Sequence, residues 1–239
     1  MILATKFKPD EDAPFQTALD AGLRAAELWT GPDVLDDWRA VAARAQRFDL
    51  RYRLHFPTKR TLTDDHLRNF VELSRALDVQ VAVIHRLEME RYGAAVQALD
   101  PDLQLAVENG HISRDEFARW QTTNRYLTLD AEHVWLFTHQ GAARDAAIAE
   151  VAKVLQNIGP KLRHVHLPGY YGTEDEHRPM YCSPEYVTAV ASLLDDVGYD
   201  GFVVSEVDIP YQNVDDLRRD VELFENWRRE RNASRIEHK

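Results

Sequence analysis

Apolar residues come in short runs along the chain. A polar loop follows each run, and then a stretch whose apolar positions recur every three or four residues. The runs near residues 1–7, 23–29, 50–56, 79–85, 103–108, 126–130, 163–167 and 201–206 read as β-strands. Between them, "DDWRAVAARAQRF", "DDHLRNFVELSRAL", "AARDAAIAEVAKVLQNI" and "SPEYVTAVASLLDDVG" read as amphipathic helices. Asp33, Asp64 and Ser183 stand where helix N-caps belong, and Gly159 and Gly198 where helices stop. Eight strands alternating with helices predict a parallel sheet with right-handed crossovers. Eight such units in 239 residues suit a single α/β domain over residues 1–239, a closed parallel (β/α)8 TIM barrel. The connections after strands four and five are brief, which predicts short helices there. A doubly wound open sheet is the alternative arrangement.

Several of these runs are apolar on both faces and then end abruptly in a chemically active side chain. "LQLAVEN" closes on Glu108 with no turn residue before it. A buried ionised carboxylate is costly unless it is paired or coordinated. In a barrel of this kind the site lies at the C-terminal strand ends. The residues there are Glu27, His55, His85, Glu108, Asp130, His166 and Glu206, with His133 just beyond Asp130. Taken singly, each has a plain structural reading: Glu27 as a salt-bridge partner inside the barrel, Asp130 as a helix cap, a histidine as a hydrogen-bonded strand end. Taken together, several like charges on one small rim repel each other and lose hydration, a cost that a divalent cation removes. Carboxylate and imidazole ligands suit manganese, zinc, cobalt or iron better than calcium. His164 faces the same way as His166 but one layer deeper, which gives it a supporting role. His66, His111, His139 and His238 have no strand-end placement and read as surface residues.

The loop after strand seven, "PGYYGTEDEHRPMYC", overhangs this rim and holds Asp175, Glu176, His177 and Arg178. It reads either as a solvated charged loop or as a source of further ligands, Asp175 and His177, with Arg178 to hold an anionic or hydroxylated substrate. Trp29, Phe56, Trp135 and Tyr170 read either as apolar walls of the site or as plain packing. Composition narrows the partners. The net charge of −11, with no cluster of Lys and Arg on the expected rim, disfavours a broad nucleic-acid or anionic membrane surface. A single cysteine, Cys182, excludes an intrachain disulfide and fits a reducing cytoplasm. There is no long apolar run and no secretory leader pattern. A homo-oligomer is compatible with all of this.

The ordered set "VEN", "LDAEH", "HVHL" and "VSEV", within a stretch from "AELW" to "VVSEVD", resembles the xylose-isomerase-like barrel superfamily. That group includes sugar isomerases and epimerases, dehydratases, and apurinic endonucleases of the endonuclease-IV type. The resemblance to the epimerase branch implies one divalent metal on Glu108, Asp130, His166 and Glu206, with His133 on the substrate. Glu108 and Glu206 would then carry the proton transfer. The endonuclease branch implies a larger ligand set, which would add His55, His85, His133, Asp175 and His177. Against that branch, "HRLEME" replaces the glycine-rich sequence expected after strand four, and 239 residues leave little room for DNA-penetrating loops. The leading expectation is therefore a metal-dependent isomerase or epimerase of a small sugar or polyhydroxylated carbonyl compound. A multi-metal phosphodiesterase, a metal-dependent lyase or dehydratase, and a non-catalytic partner subunit are the alternatives.

Overall fold

The structure, a computed structural model, describes residues 1–170 and 177–237, with side chains through Arg235. Eight parallel strands close into a barrel in chain order: β1 Ile2–Phe7, β2 Ala25–Trp29, β3 Arg51–His55, β4 Val81–Ile84, β5 Gln104–Glu108, β6 Tyr126–Asp130, β7 Leu162–His166 and β8 Phe202–Ser205. The ring closes where β1 pairs with β8, Ala4 against Val204 and Thr5 against Ser205.

Alternation along the strands sorts their residues into two cores. Phe7, Leu28, Leu54, Ile84, Val107, Leu129, Val165 and Val203 point outward and join the large core under the helices. Ala4, Ala25, Phe202 and Val204 form a separate, smaller cluster at the floor of the barrel interior. Inward positions continue upward from that floor with the same period, from Ala4 to Lys6, Ala106 to Glu108, His164 to His166 and Val204 to Glu206. This answers why a doubly apolar strand ends in a carboxylate. In β5 the inward position changes from Ala106 to Glu108 at the top layer, while the outward Leu105 and Val107 stay apolar.

The helices after β4 and β5 are short, Ala94–Leu99 and Arg114–Thr123. A π turn, Met89–Gly93, precedes the first, and another, Val134–Thr138, directly follows His133; such turns recur at functional sites. Two expected N-caps are displaced. Helix Pro32–Asp36 starts from Gly31, with Pro32 at its first position and Asp33 in its first turn. Helix Asp64–Ala76 is capped by Thr63, which exchanges hydrogen bonds with His66 in a capping box. Ser183 does precede helix Pro184–Asp196, but its hydroxyl accepts the N–H of Tyr170 at 3.0 Å instead of capping the helix. Gly198 turns the chain with φ +71°, whereas Gly159 stays right-handed and leads into a 3-10 turn. Among the described residues no helix is long and apolar enough to cross a membrane.

Candidate metal centre

The top inward layer brings Glu108, Asp130, His166 and Glu206 together, with one ligand atom from each within 4.8 Å of the others. Three of these side chains reach this position with one atom already committed elsewhere. Nε2 of His166 is hydrogen-bonded to Oε2 of Glu27 at 3.0 Å, which turns Nδ1 toward the group. Oδ1 of Asp130 accepts the backbone N–H of His133 at 2.8 Å. Oε1 of Glu206 accepts from the ammonium of Lys6. What remains is Oδ2 of Asp130, Nδ1 of His166 and Oε2 of Glu206, with Oε1 of Glu108 3.7 Å from Nδ1 of His166. The first three are buried polar atoms without a well-directed hydrogen bond, although Nδ1 of His166 lies 2.7 Å from Oε2 of Glu206. One donor atom per residue, three of them carboxylate oxygens and one an imidazole nitrogen, fits a divalent cation of the manganese, zinc, cobalt or iron type.

A supporting layer fixes these ligands. Glu27 is fully buried and lies 2.5 Å from Nε2 of His164 and 3.4 Å from Nζ of Lys6. The Glu27–His166 pair is the carboxylate–histidine arrangement that orients a metal-binding imidazole. Asn109, also fully buried, clamps the Asp130 backbone, donating to its carbonyl at 2.9 Å and accepting its N–H at 2.7 Å.

Burial alone would favour the neutral carboxyl at Glu27, Glu108 and Glu206. The neighbouring imidazoles, and Lys6 beside Glu27 and Glu206, outweigh it and hold all three well below the ordinary range. Asp130 goes the other way: burial raises its pKa, and the charges of Glu108 and Glu206 add to the rise. Burial also lowers the pKa of His55, which keeps that imidazole neutral. His166 is raised well above its usual value: burial opposes its charge, but Glu206, Glu27 and Glu108 prevail. The centre thus holds the carboxylates of Glu27, Glu108 and Glu206 around the His166 imidazole, whose proton a divalent ion would displace.

A cavity of about 450 Å3 opens over this layer, within the roughly 300–1,000 Å3 of small-ligand sites. The additional sequence candidates distribute around it. Nε2 of His55 and Nε2 of His85 lie 3.4 and 3.1 Å from Oε2 of Glu108 and form a second ligand group with it. Nδ1 of His133 lies 3.3 Å from Oδ2 of Asp130, and these two make a third group with His177. Arg178 is not among the described residues that line the cavity. Its backbone bridges to Gly169, and its guanidinium donates to the Tyr211 hydroxyl at 3.2 Å. Gly169 is required there, because a Cβ would meet the carbonyl oxygen of Pro179 at 1.9 Å. Asp175 lies outside the described residues.

Of the aromatic candidates, Trp29 lines the cavity. Phe56 is buried edge-on against Phe70, and Trp135 packs against Tyr170 and Tyr186. The sequence reading missed three things. Lys6 occupies the top layer of β1, and with Lys59 and Arg86 it puts three cations on a wall expected to carry no basic cluster. His111 is exposed but lines the cavity, stacked on Phe137. Glu132 is fully buried, 4.0 Å from Nε2 of His177. A search restricted to metal-competent strand ends passes over a lysine. The signal was present all the same: one cation in the otherwise nearly apolar run "ILATKF".

No protein-family model matches the sequence, and neither does any curated protein. Solved structures do match. A D-tagatose 3-epimerase-like protein superposes with a TM-score of 0.72 over 98% of this chain and 99% of its own, at 18% identity. D-allulose 3-epimerase from Methylomonas sp., in complex with D-allulose, gives 0.62 over 95% and 96%, at 16% identity. A Thermus thermophilus protein soaked with zinc chloride gives 0.62 over 93% and 98%, also at 16% identity. At such identities the likeness carries the fold alone: the chain is a (β/α)8 barrel from end to end.

Proposed function

We propose that this barrel is a divalent-metal-dependent epimerase or isomerase of a small sugar or related polyhydroxylated carbonyl compound. One observation carries the reading. Four ligand atoms, one each from Glu108, Asp130, His166 and Glu206, converge at the barrel mouth beneath an open cavity, those of Asp130, His166 and Glu206 without a well-directed hydrogen bond. The end-to-end fold likeness to two sugar 3-epimerase-type structures supports it. A divalent ion bound there would supply Lewis acidity toward the carbonyl and neighbouring hydroxyl oxygens of a substrate. The chain's own residues would then do the proton work. Glu108 and Glu206 reach the cavity from strands three places apart around the barrel, and both are held ionised. One takes the proton from the carbon beside the carbonyl. A proton returned on the opposite face gives an epimer, and one returned at the adjacent carbon gives an isomer. His133 and His177 hold substrate hydroxyls, and Trp29 keeps water from the reacting carbon.

A second observation favours a second reading. Glu108 belongs to two ligand groups and Asp130 to two, so the three groups overlap. Clustered cations on such a set activate water and clamp a phosphate, the chemistry of a multi-metal phosphodiesterase. The two readings separate in one experiment. The manganese-loaded protein is incubated in deuterium oxide with D-allulose, D-tagatose and L-ribulose, and in parallel with abasic-site DNA. Loss of a carbon-bound proton signal by NMR, abolished in Glu108→Gln, supports the epimerase. DNA cleavage without sugar exchange sinks it in favour of the hydrolase.

A further inference from the structure

Lys6 sits at the last inward position of β1, in the layer of the proposed metal ligands. Its side chain is 13% exposed and lines the cavity. Its ammonium touches Oε1 of Glu206 and lies 3.4 Å from Oε1 of Glu27. The two carboxylates hold the Lys6 ammonium in one place at the cavity wall. An ammonium carries three N–H donors, and Lys6 lines the cavity while it pairs with Glu206 and Glu27.

A cation in this position works against the metal centre. It repels a divalent ion across a short distance and engages one oxygen of a ligand. An apolar residue on β1 would leave Glu206 wholly to the ion. What the ammonium adds is a donor on the cavity wall, oriented beforehand by two carboxylates. Donors of that kind act most strongly on charge that develops during reaction.

We propose, on the strength of the epimerase reading above, that Lys6 is a catalytic residue whose ammonium binds the substrate oxygen that becomes anionic when the carbon-bound proton leaves. In that step the proton passes from carbon to the carboxylate of Glu108. The C–H electron pair forms the carbon–carbon double bond of an enediolate, and the carbonyl π pair moves onto the oxygen facing Lys6. Lys6 keeps its protons throughout. As the carbonyl re-forms, the carbon regains a proton. It comes from Glu108 on the same face, which gives exchange with solvent once that carboxyl has swapped its proton with water, or from Glu206 on the opposite face, which gives the epimer: Glu206 takes a proton from solvent before delivering it, and Glu108 releases the abstracted proton to solvent, so both end as carboxylates.

The test uses the full-length protein and calorimetric titrations of wild type, Lys6→Met, Lys6→Gln and Lys6→Arg. The probes are Mn2+ alone and then, on the Mn2+-loaded protein, glycolohydroxamate and glycolamide. The hydroxamate is a planar chelating anion shaped like an enediolate, and glycolamide is its neutral counterpart. Lys6→Met and Lys6→Gln should bind Mn2+ as tightly as wild type or more tightly. They should lose about tenfold or more in glycolohydroxamate affinity while glycolamide binding stays within about twofold. Lys6→Arg, which keeps the charge, should restore part of the hydroxamate affinity. Hydroxamate affinity equal to wild type in the neutral variants overturns the proposal. So does a parallel loss of Mn2+ affinity, which would make Lys6 a prop for the ligand shell. If Lys6→Met does not fold by circular dichroism, the near-isosteric Lys6→Gln decides on the same outcomes. Absence of sugar exchange in wild type together with the hydroxamate pattern defeats the epimerase reading and leaves Lys6 as an anion-binding residue. Exchange and hydroxamate binding both undiminished in Lys6→Met defeat the Lys6 role alone.

Discussion

Replacing Asp220 by asparagine should raise the melting temperature more at pH 8 than at pH 5. Asp220 lies on the C-terminal helix Val214–Glu237 and is 1% exposed. Its Oδ2 accepts from the Ser205 hydroxyl at 2.5 Å, at the end of β8 and one residue before Glu206. Its Oδ1 accepts the Tyr181 N–H at 3.1 Å, on the return of the loop after β7. Burial pushes its pKa up from 3.8 to about 6, against these hydrogen bonds. Between those two values the native state holds the proton more firmly than the unfolded chain. The stabilisation this gives is complete in acid and is lost as the pH rises through about 6. From pH 5 to pH 8 the loss is about 1.4 kcal/mol, because roughly one pKa unit of the difference is still to be expressed above pH 5. Asparagine does not titrate and keeps the shape of the contact. The advantage of the variant over wild type should therefore be about 3–6 °C larger at pH 8 than at pH 5, at about 2–4 °C per kcal/mol for a chain of this size. Scanning calorimetry of both proteins at both pH values measures it. A difference that does not change with pH, or one larger at pH 5, refutes the reasoning.

Further outcomes follow from the centre itself. Glu27→Gln leaves Lys6, His164 and His166 without their shared buried anion and should cost about 3–5 kcal/mol in urea unfolding of the metal-free protein. Asn109→Ala removes both clamps on the Asp130 backbone; it should cost about 2–4 kcal/mol and loosen Mn2+ about tenfold by titration. Glu108→Ala and Glu206→Ala should each lose the metal by elemental analysis while the far-ultraviolet circular dichroism is unchanged, and full metal content in either would remove that residue from the ligand shell. The double variant Asp175→Ala/His177→Ala should keep its metal and lose sugar affinity. Loss of one metal equivalent there would favour the hydrolytic cluster instead.

The barrel could be read from the sequence because hydrophobic period carries it: runs apolar on both faces are strands covered by helices outside and packed against one another inside. The candidate ligands of the proposed metal stand out for the same reason. Glu108, Asp130, His166 and Glu206 interrupt apolar columns where interruption costs most. Lys6 interrupts its column in the same way, but metal chemistry was the filter applied, and a lysine is no ligand. Helix starts were less legible. Asp33 and Asp64 look like caps locally, yet Pro32 and the Thr63–His66 box set the starts upstream of them. The loop after β7 shows no period that tells where Arg178 lies: its backbone bridges to Gly169 and its guanidinium donates to the Tyr211 hydroxyl. Such a contact joins segments far apart in the chain and leaves no periodic trace.

The most direct test of the central claim is anomalous scattering from a crystal of the protein soaked in Mn2+. A single manganese among Glu108, Asp130, His166 and Glu206, with His55, His85, His133 and His177 free of metal, is the expected result. Additional ions on the His55–His85–Glu108 and Asp130–His133–His177 groups would contradict the single-metal epimerase and put the phosphodiesterase in its place.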